Sequence, residues 1–229
     1  MNILAIESST DLISVALLHG GQLIERAGER GVNHSDRVLP LVQTLLADAG
    51  LALAAMDVFA FGAGPGSFTG LRLACGVTQG LALGVAAPVI GICSLEALAL
   101  DAGTALVYAC VDARMNEVYC AAYRVAEGDV SILIAPTVAA PALAPVPAGD
   151  GWRGCGNGFA VYAAALAARL VNVTDIDATA VPRAGAVARL AALRYARGEA
   201  VDAALALPLY VRDKVALTTA ERMARGGKA

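Results

Sequence analysis

Lysine is nearly absent from this chain: Lys214 and Lys228 are the only two in 229 residues. Lysine and arginine together number 17 against 20 acidic residues, for a formal net charge of −3. Tight, unaided binding to a nucleic acid requires a basic face that neutralises several phosphates, and no basic run supplies one. Histidine is equally scarce, with only His19 and His34, fifteen residues apart. A metal centre built on paired imidazoles therefore has little to start from. The five cysteines, Cys75, Cys93, Cys110, Cys120 and Cys155, are odd in number, widely spaced and without a Cys-x-x-Cys pair. That excludes a disulfide framework and a zinc ribbon, and leaves small buried hydrophobes. No basic region precedes the first apolar run, and Glu7 cuts that run short, so it does not read as a secretory signal. The expectation is a cytoplasmic protein.

Hydrophobic residues make up 58% of the chain, but much of that is alanine. Leu73–Leu95 carries no charge and is long enough on paper to span a membrane. Pro88 with Gly84 and Gly91 breaks it, and Thr78 and Gln79 interrupt its first half. It reads instead as a buried helix, a break and a buried strand, with no membrane partner.

Three short strands open the chain, Asn2–Ile6, Leu12–Leu18 and Leu23–Arg30, with turns at Glu7–Asp11 and His19–Gln22. Together they predict an antiparallel meander. Asn33 or Ser35 can cap a helix running to Ala49, with Val38, Leu39, Val42, Leu45 and Leu46 at helical spacing and Gly50 at its end. A strand at Val58–Phe61, a glycine-rich turn, a helix from about Leu71 to Ala86, a strand at Pro88–Ile92 and a short helix at Leu95–Leu100 follow. The pattern then restarts with strands at Leu106–Asp112, Glu117–Val125 and Val130–Ile134. Ala135–Gly149, with four prolines, reads as an irregular loop. Helices are expected at Phe159–Leu170 and Arg183–Arg197, irregular chain from Pro208, and fraying at Ala224–Ala229. Two meander-plus-helix units in tandem fit the superfold shared by actin, Hsp70 and sugar kinases. The units are expected at 1–102 and, less regular, 103–229, with the helix near 183–197 packing back on the first.

The strongest local signal is Gly62-Ala-Gly-Pro-Gly-Ser-Phe-Thr-Gly-Leu-Arg72, joining a buried strand to a helix. Gly64, Pro65, Gly66, Ser67 and Gly70 form its turning part. It lacks the Gly-Lys of a P-loop and the spacing of a dinucleotide fingerprint, and Pro65 stands where a nucleophile elbow has glycine. A tight strand-to-helix connection accounts for it on residue chemistry alone.

GPGSFTGLR, with LAIESST upstream, VDARMNEVY downstream and Pro208-Leu-Tyr-Val-Arg212 near the end, resembles the TsaB (YeaZ) family. These segments span nearly the whole chain in order, and the middle stretch, about Pro136–Gly149, carries no likeness. The resemblance implies an actin-like (ASKHA, ribonuclease H-like) duplicated α/β fold with a reduced second domain. It implies a role in making threonylcarbamoyladenosine on tRNA. The implied partners are TsaD, a paralogue that transfers the threonylcarbamoyl group, and TsaE, a small ATPase. A homodimer is expected for the chain alone, and tRNA contact only through the complex.

TsaD-type proteins carry a metal-binding His-x-x-x-His where this chain has Ser94 and Leu98, and leucine cannot ligate. That points to a non-catalytic subunit with no catalytic residue and no metal. Glu7, Ser8, Ser9 and Thr10 echo the acid and hydroxyls of an actin-like phosphate loop. No Lys or Arg precedes Arg26 to neutralise a triphosphate, so they read as a vestigial cofactor site, with no cofactor bound. Asp112 could hold a metal through water, but Asp112, Arg114 and Glu117 read more simply as a charged hairpin turn. Gly76, Gly80 and Gly84 recur every four residues, with Arg72 one turn before. That stripe admits either a neighbouring helix or this protein's own sheet. With Leu39 and Leu46 of the preceding helix, these residues are the expected partner interface. The alternative is an actin-like small-molecule kinase or ATP-binding protein; a peptidase fails for want of a triad or metal pair.

Overall fold

The computed structural model describes residues 1–103 and 105–212. The fraying expected at Ala224–Ala229 lies outside the described residues. The opening meander is β1 (Asn2–Glu7), β2 (Ser14–His19) and β3 (Gln22–Ala27). Then come α1 (His34–Ala49), β4 (Val58–Gly64), α2 (Phe68–Gly84), β5 (Val89–Cys93) and α3 (Ser94–Asp101). A second meander follows, β6 (Leu106–Asp112), β7 (Val118–Ala126) and β8 (Asp129–Ala139). The chain continues through β9 (Trp152–Cys155), α4 (Gly158–Val161), α5 (Ala163–Arg169), β10 (Val173–Asp177) and α6 (Ala184–Ala196).

The first sheet has the order β3-β2-β1-β4-β5 and the second β10-β9-β6-β7-β8. In each, the three meander strands are antiparallel and the two later strands add in parallel to the meander's first. The second sheet therefore repeats the first strand for strand.

Local chemistry explains the main boundaries. The Asn33 side chain accepts from Ser35 N at the start of α1, and Gly50 closes that helix in the left-handed conformation at φ 64°. Ser67 caps α2 by accepting from Gly70 N at 3.4 Å, so α2 begins three residues earlier than the apolar periodicity predicted. All five cysteines are buried and free.

Several expectations for the second half need correction. The loop expected over Ala135–Gly149 is partly strand: β8 runs through Pro136 to Ala139, which an edge strand allows because a proline's missing N–H need not face a neighbour. The helix expected over Phe159–Leu170 is two pieces, broken at Tyr162. Strands β9 and β10 were not anticipated at all.

Helices cover both faces of each sheet, and two of them are exchanged. Helices α1 and α2 pack on one face of the first sheet, burying Val42, Leu45, Phe59, Phe61 and Ala74 together. Its other face is covered by α6, which follows the second sheet in sequence. Conversely α3, which ends the first unit, packs on β6, β7 and β8 of the second sheet. Helices α3 and α6 touch each other at the centre. None of the described helices is long and apolar enough to cross a membrane.

Candidate functional site

The glycine-rich segment folds back over the first hairpin turn and closes it. Glu7, Ser8 and Ser9 are all buried. Ser9 N donates to Glu7 Oε1 at 2.6 Å and Ser94 Oγ donates to Glu7 Oε2 at 2.9 Å. Ser8 Oγ donates to Gly70 O at 2.8 Å, and Ser67 N donates to Ser9 O at 2.7 Å. The approach is so close that only glycine fits. A Cβ at Gly62 would stand 1.8 Å from Glu7 Oε2, one at Gly70 1.9 Å from Ser8 O, and one at Gly66 2.4 Å from Ser9 O. Gly64 turns the chain at φ 113°, ahead of Pro65. The loop thus uses most of its own donors and acceptors, while among the described residues the buried Ser9 Oγ meets no partner.

Sequence reasoning placed Glu7, Ser8, Ser9 and Thr10 in a vestigial phosphate loop; in the structure Glu7, Ser8 and Ser9 are buried, and Ser9 and Thr10 border the cleft beyond. Burial pushes the Glu7 carboxyl above the usual carboxylate range, and hydrogen bonds from Ser9 and Ser94 offset that only in part.

The matching turn of the second unit is closed in the same manner. Asp112 Oδ1 accepts from Arg114 N at 2.8 Å and from Tyr162 Oη at 3.0 Å, and Arg114 Nη1 pairs with Oδ2 at 3.3 Å. Asn157 Oδ1 accepts from Asp112 N at 2.9 Å. Arg114, Met115 and Asn116 all have φ near +60°, a turn held from outside by Arg212, which donates to Ala113 O and to Glu117 Oε2 at 2.6 Å. Asp112 therefore serves the hairpin. Among the described residues, no group of three His, Cys, Asp or Glu is placed to hold a metal ion. Ser94 and Leu98 are both buried. His19 is exposed and meets Asn2 Oδ1, and His34 meets the carbonyl of Asp11. Between the two turns lies a cleft of about 840 Å³, bordered by Thr10, Ser67, Arg114, Tyr119, Asn157 and Tyr210.

The α1–α2 face is the other open feature. Gly76, Gly80 and Gly84 are exposed, and among the described residues a Cβ at any of them would meet nothing within 4 Å. The stripe points away from this protein's own sheet. Leu39 is 46% exposed on the neighbouring helix. Leu46 is a correction: at 9% exposure it packs in the core beside Val42 and Leu45, on the inward side of α1. Arg72 lies over the Phe68 ring at 3.8 Å and donates to Tyr210 Oη at 3.1 Å. Phe68 and Tyr210 stand in the motifs that carry the resemblance, but sequence reasoning placed neither of them at this face. An aromatic at the first helical position after a cap was the available signal for Phe68. Nothing local pointed to Tyr210, which arrives from 138 residues away.

Two five-stranded sheets of repeated topology, with exchanged helices between them, define an actin-like (ASKHA, ribonuclease H-like) duplicated α/β fold whose second half has the shorter helices. The family model described as "TsaD: tRNA N6-adenosine threonylcarbamoyltransferase" matches residues 28–220. The TsaB tRNA threonylcarbamoyladenosine biosynthesis protein of Escherichia coli K12 is 33% identical over 94% of this chain and 96% of its own. Its counterpart from Haemophilus influenzae is 35% identical over 94% and 95%. The solved structure of YeaZ from Pseudomonas aeruginosa superposes with a TM-score of 0.85 at 40% identity, covering 91% of this chain and 99% of that one. The chain belongs to the TsaB (YeaZ) family of tRNA threonylcarbamoyladenosine biosynthesis proteins.

Proposed function

We propose that this chain is a non-catalytic subunit that docks on the transferase paralogue TsaD through the outer face of α1 and α2. The pair then offers TsaE and tRNA a surface that neither subunit offers alone. The observation that carries this reading is the unfilled stripe of Gly76, Gly80 and Gly84 beside exposed Leu39 and Leu83. Three glycines inside one helix cost about 1 kcal/mol each relative to alanine. A helix approaching along the stripe recovers that cost in backbone-close packing. Arg72 sits at one end of the stripe, stacked and held by Tyr210, where it can pair with an acidic group on the partner. Without TsaD, a second copy of this chain would use the same face, giving a homodimer. The two closed turns favour a subunit without a phosphate site of its own.

Light scattering after size exclusion tests the reading with the chain alone, its cognate TsaD alone and the mixture. The expected outcome is a heterodimer that replaces the homodimer, and Gly80→Leu abolishes it while leaving the fold intact. A Gly80→Leu chain that still bound TsaD with unchanged affinity would remove this interface. The cleft is where an actin-like kinase would hold nucleotide. Saturable ATP binding to the isolated chain by calorimetry would favour that second reading.

A further inference from the structure

A second cavity, of about 410 Å³, lies at the seam between the two units, beside the larger cleft. Its size falls within the range of about 300–1,000 Å³ usual for small-molecule sites. One wall is apolar, made by Leu12, Leu98 and Val181. The rest is charged: Arg30, Arg153 and Arg183 with Asp101 and Asp177.

These charges are only partly used by the protein. Among the described residues the buried Arg153 Nε has no hydrogen-bond partner, and the carboxylate beside it, Asp175, stands 3.6 Å away and largely in solvent. Arg183 gives its Nε to Glu25 at 3.2 Å, and its two Nη groups are not part of that bond. Asp177 Oδ1 accepts from Thr179 N, Thr179 Oγ1 and Ala180 N, and Oδ2 is not used by that turn. Those bonds hold the Asp177 carboxyl below the usual range, so it is ionised at neutral pH. Asp101 Oδ1 is taken by Arg189.

The balance of sign selects the ligand. Three guanidinium groups and two carboxylates line the cavity. With their outer partners Asp11, Glu25, Asp175 and Arg189 included, four cations meet five anions. There is no excess positive field to hold a phosphate ester. A ligand of zero net charge that carries both signs can pair with both sets of free groups, through charge-assisted hydrogen bonds that are stronger than neutral ones.

We propose that this seam cavity binds a free α-amino acid with a small apolar side chain. Its carboxylate meets Arg153 and Arg183, its ammonium meets Asp177 Oδ2, and its side chain lies on Leu12, Leu98 and Val181. The cavity draws on both units, so an occupant also fixes their mutual position. Nothing in this inference depends on docking to TsaD.

Titration calorimetry on the full chain tests it, with L-valine and L-leucine as probes. Valinamide lacks the carboxylate, 3-methylbutanoate lacks the ammonium, and inorganic phosphate carries only negative charge. Saturable binding of one of the two amino acids is expected, weakened about tenfold or more when either charge is removed from the ligand. Arg153→Met should weaken it by a similar factor without lowering the melting temperature. Asp177→Asn keeps the Oδ1 acceptor of its turn and provides the second variant. The proposal is overturned by no saturable heat for either amino acid up to about 10 mM, by phosphate binding at least as well, or by unchanged affinity in Arg153→Met.

Discussion

Glu7 is the residue whose chemistry is most constrained. It is fully buried, accepts from Ser9 N and Ser94 Oγ, and has no cation beside it among the described residues. Desolvation raises its folded pKa above the value of an unfolded glutamate. A carboxyl raised in this way contributes its stability below the unfolded pKa and loses it as pH rises through the folded pKa. Glu7→Gln removes the titration while keeping the shape. The variant should therefore melt higher than the parent at pH 8, with the gap shrinking toward pH 4.5. Melting curves at several pH values check this, and a constant gap would show that Glu7 does not titrate in that window. The sequence showed an acid beside small hydroxyls and suggested phosphate. The missing information was that Gly62, Gly66 and Gly70 approach closely enough to fill the loop. A glycine's absent side chain does not reveal what will stand in its place.

At the scale of elements, α2 has an inner face in the core and a glycine stripe that no described residue covers. Gly76→Ala and Gly80→Ala together should stabilise the isolated protein by about 1–2 kcal/mol, since alanine is favoured in a helix by about 1 kcal/mol per site and neither Cβ meets an atom. The same pair should weaken a docked helix by holding it away. Chemical denaturation of the chain, compared with its affinity for TsaD, separates the two effects. Destabilisation by the alanines would mean that the stripe serves the fold. Helix α1 was legible because Asn33, a period of 3.6 and Gly50 agree. The inward turn of Leu46 and the outward turn of Leu39 were not separated, because both fall near the edges of one apolar arc. Strands β9 and β10 escaped notice for another reason. β9 is four residues long among glycines, and β10, Val-Thr-Asp-Ile-Asp, is half exposed at a sheet edge. β9 becomes a strand by joining β6 in parallel and β10 by joining β9, and pairings to distant chain leave little local trace.

At the scale of the molecule, the two units are held together by exchanging α3 and α6, and arginines lace that exchange. On α6 and at its two ends, Arg183 reaches Glu25 of the first sheet, Arg189 and Arg194 reach Asp101 and Glu96 of α3, and Arg197 reaches Asp129 of the second sheet. Most of these pairs are partly solvated, and each is worth about 1 kcal/mol or less. Glu96 differs, because its side chain is 6% exposed and its partner Arg194 is itself 25% exposed. Burial raises the Glu96 carboxyl, Arg194 pulls it back down, and Asp129 and Glu199 push it up again. Arg194→Met leaves that carboxylate without its cation between the two units. The expected loss is about 3–5 kcal/mol, as for breaking one side of a buried pair. Without the cation the folded pKa of Glu96 rises further, so the loss grows as pH rises and shrinks in acid, where the carboxyl is neutral. Replacing both partners, Arg194→Met with Glu96→Leu, should recover most of the stability, because an apolar pair of similar volume needs no compensation. Denaturant unfolding of the four proteins at pH 5 and pH 8 measures the coupling. A loss below about 1 kcal/mol for Arg194→Met at pH 8, or a double variant no better than the single, would mean that the seam is held by apolar contact between α3 and α6 and that the ion pair is incidental.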